Sequence, residues 1–120
     1  MKGSVVLLIF VLAAALLVLG ADGVPKMTMV TPDSGKSGDT MKVDGEFLDK
    51  QHVAEVYITD GTTDWKVQIV KQASAQIEFK IPPNVKPGRF FLMVLTTGPD
   101  PKLIEEPVRV TIEGEAPQPS

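Results

Sequence analysis

Six short stretches of this chain alternate apolar and polar residues one by one, a seventh is apolar throughout, and Gly or Pro stands between most of them. Met27, Met29 and Thr31 alternate with Lys26, Thr28 and Val30. Met41, Val43 and Gly45 alternate with Lys42, Asp44 and Glu46. Val56 and Ile58 alternate with Glu55, Tyr57 and Thr59, and Trp65, Val67 and Ile69 with Lys66 and Gln68. Ile77, Phe79 and Ile81 alternate with Gln76, Glu78 and Lys80, and Val108, Val110 and Ile112 with Arg109, Thr111 and Glu113. Arg89 to Leu95 is apolar on both parities. A period of two belongs to a strand with one dry face and one wet face. No stretch of the body keeps helical spacing over three turns. Pro32, Asp60-Gly61, Pro82-Pro83 and Pro87-Gly88 supply the turns. Strands at such near-regular intervals predict an all-β sandwich of about seven strands, with a barrel as the structural alternative.

The run Thr31 to Leu48 is the densest part of this pattern: Thr-Pro-Asp-Ser-Gly-Lys-Ser-Gly, an alternating strand, then Gly45-Glu46-Phe47-Leu48. It resembles the opening of the IPT/TIG family, the immunoglobulin-like domain shared by plexins and transcription factors, in its exported bacterial type. In that family a strand leads into Thr-Pro-x-x-Gly-x-x-Gly, an alternating strand and Gly-x-Phe. Ala75 to Pro83 resembles the family's strand ending in Pro-Pro, and Lys86-Pro87-Gly88 followed by Phe90, Leu92 and Val94 resembles its next hairpin. The resemblance spans Val24 to Glu113 and implies an immunoglobulin-like sandwich that acts as a binding or spacer module. The chain departs from the family in its long, Pro-rich link from Thr97 to Pro107. Gly35 and Gly38 are expected where the backbone needs positive φ or close approach. Phe47 is expected to fold back over the core as a plug.

Residues 1–23 have a different character. Met1-Lys2-Gly3-Ser4 is a short positive start, Val5 to Leu19 is an unbroken apolar run of fifteen residues, and Gly20 to Gly23 are small or turn-forming. This is the layout of a secretory signal peptide. Fifteen residues rise only ~22 Å as a helix against a hydrocarbon core of ~30 Å, which disfavours the alternative of an uncleaved membrane anchor. A third arrangement is a short leader cut before the apolar run, leaving that helix to pack in a surface filament. The expected organisation is therefore a signal peptide or anchor over 1–23, a domain over 24–113, and a small, polar, Pro-containing tail over 114–120 that reads as flexible. The expected location is secreted, periplasmic or cell-surface.

The chain has no Cys, so an exported domain of this size must be held by packing rather than by disulfides. Cleavage before Asp22 leaves 11 basic and 15 acidic residues, a net charge of −4. That acidity argues against nucleic acid as a partner, which requires clustered Lys and Arg.

Recognisable catalytic chemistry is missing from the pattern. His52 stands alone, without the Cys or paired carboxylates that zinc needs, and reads as an exposed residue at a strand entry. Gly35-Lys36-Ser37 is similar to the end of a phosphate loop, but the required earlier Gly is replaced by Val30. No Gly-x-Ser-x-Gly occurs. Asp60 and Asp64 flank a turn and offer too few oxygens for calcium, so they read as turn stabilisers. The expectation is a protein that is not an enzyme, with no cofactor and no metal.

Two aromatic features remain. If Phe90, Leu92 and Val94 face the core, as the resemblance implies, then Phe91, Met93 and Leu95 face outward, and in the immunoglobulin-like strand order they lie next to Tyr57 of the Val53 to Thr59 strand. Such a patch is either covered by the Thr97 to Pro107 segment, with Leu103 and Ile104, or it is a partner surface. Trp65, the only Trp, is the candidate sugar contact, with Asp60, Thr62, Thr63 and Asp64 nearby. Its parity with Val67 and Ile69 points it instead toward the core rim. The favoured function is a protein-binding or self-association module, with carbohydrate binding through Trp65 and a filament subunit as alternatives.

Overall fold

The computed structural model describes residues 23–114. The expected export segment and the polar tail therefore lie outside the described residues, save for Gly23 and Gly114 at their borders. Among the described residues all regular structure is strand: β1 Lys26–Thr31, β2 Ser34–Gly35, β3 Thr40–Glu46, β4 Val53–Thr59, β5 Asp64–Lys66, β6 Gln68–Ala73, β7 Gln76–Lys80, β8 Gly88–Thr96 and β9 Leu103–Ile112. They form two sheets, one in the order β1-β3-β7-β6 and one in the order β2-β9-β8-β4-β5. All neighbours are antiparallel except β2 and β9, which run parallel with Ser34 opposite Thr111 and Gly35 opposite Ile112. The fold is thus the sandwich that the alternation predicts.

One core fills the space between the sheets. Met27, Met41, Val43, Ile77 and Phe79 enter it from the first sheet, and Val56, Ile58, Phe90, Leu92, Val94, Val110 and Ile112 from the second. Each set occupies alternate positions of its strand, as the pleat requires.

Four details differ from the sequence expectation. The first is in β1, where the register against β3 shifts between Met27 and Met29. The extra residue flips the parity, so Met29 is exposed and Val30 is buried.

The second is the predicted single strand Trp65–Ile69. It divides between the sheets: β5 pairs with β4 and β6 pairs with β7, with Val67 at the crossing donating its N–H to the Val56 carbonyl.

The third concerns Phe47, which is not the core plug. It takes φ of 56° and lies half-buried against the His52 ring, 5.2 Å between centroids, while its neighbour Leu48 fills the core. His52 is correspondingly half-buried rather than exposed, with Nδ1 paired to Asp49.

The fourth is the Thr97 to Pro107 link. Its second half is strand, because β9 begins at Leu103 and pairs with β8. Only residues 97–102 remain as a turn, where the Thr96 hydroxyl accepts the Lys102 N–H at 2.8 Å.

Gly45 explains how closely the first two strands of the four-stranded sheet approach. A Cβ at this position would stand 2.0 Å from the Lys26 carbonyl oxygen, so only hydrogen fits.

Candidate interaction face

The outer face of the five-stranded sheet is built by residues of odd number on β8 and β9, of odd number on β4 from Glu55 onward, and of even number on β5; Val53, before the register shift in β4, lies in the core. Three rows cross it. Phe91 lies between Thr59 and Arg109, Met93 between Tyr57 and Glu105, and Leu95 between Glu55 and Leu103. β5 extends two of these rows, with Asp64 beside Thr59 and Lys66 beside Tyr57. The structure therefore brings Tyr57, Phe91, Met93 and Leu95 together, all half-buried. The 97–107 segment does not cover them. Its second half is β9, which lies alongside and adds Leu103, 56% exposed, to the same strip. Ile104 points the other way and packs against the core.

Charged and polar groups frame the apolar strip. The Arg109 guanidinium lies over the Phe91 ring, 4.8 Å from its centroid, where the ring's negative face attracts it. On the opposite flank Lys66 pairs with Glu55 at 2.9 Å, and the Tyr57 hydroxyl donates to the other Glu55 oxygen. That hydrogen bond stabilises the neutral phenol and raises the Tyr57 pKa to about 12, with burial and the Glu55 charge adding to it. The same bond, with Lys66, holds the Glu55 carboxyl below its ordinary range.

Leu103, Glu105 and Arg109 are the members of this face that the sequence reading did not assemble. Extending the Val108–Ile112 alternation backward through Glu106 and Ile104 would have placed them outward. Pro107 obscured that continuation.

Trp65 is placed elsewhere. It pairs with Ile58, packs on the core and meets Phe90 in a T-shaped contact, 5.5 Å between centroids and 82° between planes. Half-buried at the core rim, its indole packs against the core through Phe90. The polar groups near it are occupied by the turn. Asp60 Oδ1 accepts the N–H groups of Thr62 at 2.8 Å and Thr63 at 2.7 Å, and Asp60 Oδ2 meets Lys86 at 3.1 Å. These contacts hold the Asp60 carboxyl down at about 2. Asp64 accepts the Thr59 hydroxyl at 2.7 Å. Both carboxylates thus serve the turn, and among the described residues no group of three or more metal-ligating side chains converges.

A groove of about 540 Å³ runs along the open edge between β4 and β6, with Val53, Val67 and Ile69 in its floor and Lys50, Lys66 and Glu55 on its rim. Gln72 crosses it, donating from Nε2 to the carbonyls of Leu48 at 2.9 Å and Val53 at 3.0 Å.

No protein-family model matches the chain, and no curated protein is similar to it in sequence. Solved structures share its fold. A structural genomics protein of unknown function from Bacteroides thetaiotaomicron superposes with a TM-score of 0.62 at 20% identity, over 75% of this chain and 22% of that one. The mixed-linkage glucan utilization locus protein SGBP-B of Bacteroides ovatus, solved in complex with a mixed-linkage heptasaccharide, gives 0.54 at 20% identity over 77% and 23%. A Bacteroides thetaiotaomicron protein described as a putative phosphatase gives 0.53 at 16% identity over 75% and 18%. This chain thus spans about a fifth of each of these larger chains.

Proposed function

We propose that this chain is an exported, non-enzymatic binding or assembly module of the IPT/TIG type, working through protein contacts at the cell surface or in the periplasm. The observation that carries the reading is the continuous apolar strip of Tyr57, Phe91, Met93, Leu95 and Leu103 across three adjacent strands. A soluble monomer seldom leaves such a strip unpartnered. Covering it stabilises a complex by ~25 cal/mol per Å² of apolar area, before association costs. The apolar run Val5 to Leu19 supports export. The fold neighbours support a modular role, since the shared domain is a minor part of each.

Carbohydrate binding is the second reading, and the sugar complex of the Bacteroides ovatus neighbour favours it. The packing of Trp65 on Phe90 weighs against Trp65 as the contact.

Photocross-linking in exporting cells separates the two. A benzophenone residue at Leu95 is expected to give a protein adduct, and one at Val70, exposed on β6, is not. Absence of any adduct at Leu95, with Trp65 fluorescence shifting on added polysaccharide, would replace the protein reading with the sugar reading.

A further inference from the structure

Resting on the protein-contact reading, we infer that the occupant of the outer face is a second copy of the chain, related by a twofold axis that runs along β8. The charges around the strip choose this partner and this axis. In the Phe91 row, Arg109 stands on the β9 flank and Asp64 on the β5 flank. In the Met93 row the order is reversed in sign: Glu105 stands on the β9 flank and Lys66 on the β5 flank.

A rotation about an axis along β8 lays each row on its own copy with its flanks exchanged. Phe91, Met93 and Leu95 then meet their counterparts. Arg109 falls over the Thr59–Asp64 flank, and Glu105 over the Tyr57–Lys66 flank. Opposite charges meet in both rows. In the Leu95 row Leu103 falls over Glu55, whose two oxygens are already engaged by Tyr57 and Lys66. The other in-plane axis, across the strands, lays Glu105 on Glu105 and Arg109 on Leu103. It brings like charges together at the centre and leaves a cation over an apolar residue, which complementary interfaces avoid.

An isologous twofold contact needs a surface that matches itself in this way. The strands β9, β8, β4 and β5 hold 10, 9, 7 and 3 residues, and at ~3.4 Å per residue and ~4.8 Å spacing they present roughly 470 Å² of flat area, the low end of specific interfaces and a size that suits a reversible dimer. Aligned packing of two sheet faces is a regular mode of association between sheets.

Sedimentation of the chain purified from exporting cells, over a wide concentration range, tests the proposal. The expected result is a reversible dimer. Arg109→Asp should weaken it by about tenfold or more, and Arg109→Asp with Asp64→Arg should regain most of that loss, because the opposed pair is restored with its sign exchanged. Should Asp64→Arg disturb the turn it supports, Glu105→Lys with Lys66→Glu provides the same exchange in the other row. Circular dichroism identifies any variant that fails to fold.

A monomer at every concentration overturns the proposal, and so does a dimer that Arg109→Asp leaves unchanged or that, once weakened, neither exchange restores. The mass of the Leu95 cross-link keeps this separate from the broader reading. An adduct of twice the chain mass supports a second copy. An adduct of another mass overturns the second copy and leaves the protein-contact reading standing, and no adduct overturns both.

Discussion

The Glu106 carboxylate reaches from β9 to the first strand of the opposite sheet and accepts the Met27 backbone N–H at 2.7 Å through Oε1. Glu106 is 2% exposed, and among the described residues its Oε2 has no partner. The link supplies an acceptor where the β1 ladder is interrupted by its register shift. Burial raises the Glu106 pKa above its ordinary value near 4.5, and the Met27 hydrogen bond opposes that shift. The folded chain therefore holds this proton more tightly than the unfolded chain.

The sign of the pH dependence follows. The contribution is full below the ordinary carboxyl range and is lost as pH climbs through the raised value. Glu106→Gln, which keeps the acceptor and removes the charge, is expected to flatten this slope and to raise stability near neutrality, on the order of 1 kcal/mol. Glu106→Ala strands the Met27 N–H and is expected to cost about 1–3 kcal/mol. Urea unfolding of the three proteins between pH 4 and pH 8 measures both effects. A parallel pH dependence in wild type and Glu106→Gln would show that Glu106 is not its source.

Tyr57 is the only Tyr in the chain, so its ionisation can be followed directly by ultraviolet absorbance. The phenol is expected to titrate near pH 12 in the folded protein. Glu55→Gln removes the charged acceptor and should bring the midpoint down toward the ordinary value of 10.0. An unchanged midpoint would mean that Glu55 does not hold the hydroxyl.

Gly45→Ala is expected to destabilise the domain by on the order of 3 kcal/mol, because the new methyl group collides with the Lys26 backbone and forces β1 from β3. Gly61→Ala is the useful contrast. Its Cβ meets open space, and only the positive φ of 91° penalises it, by ~1–2 kcal/mol. Thermal melts of the two variants should rank in that order.

Gln72→Glu replaces a donor by an acceptor in front of the Leu48 and Val53 carbonyls. The cost should be about 1–3 kcal/mol at neutral pH and should shrink in acid, where a protonated carboxyl can donate again. A cost independent of pH would indicate that shape rather than donation is what Gln72 contributes.

The sheets were legible in the sequence because alternation is a local signal, and Ile77, Phe79 and Ile81 reveal their inward face without knowledge of any partner strand. What escaped depends on partners. The exposure of Met29 comes from a shift against β3, which periodicity within β1 cannot report. Leu48 takes the core place expected of Phe47, because a positive φ at Phe47 turns the chain there. The outer face was half legible. Tyr57 follows from parity, and Phe91, Met93 and Leu95 follow from the family resemblance of their strand, whereas Leu103, Glu105 and Arg109 join them only once β9 is paired with β8.

The parallel pairing of β2 with β9 has a mechanical consequence. Asp33 and Gly35 offer carbonyls to the N–H groups of Thr111 and Glu113, each at 2.8 Å. A pull on the chain before β2 and a pull beyond β9 act in opposite directions along these two parallel strands. The bonds between them are then loaded side by side, in shear, and must break together instead of opening one at a time like a zip. Two bonds loaded together in this way yield at a higher force than the same two opened in turn.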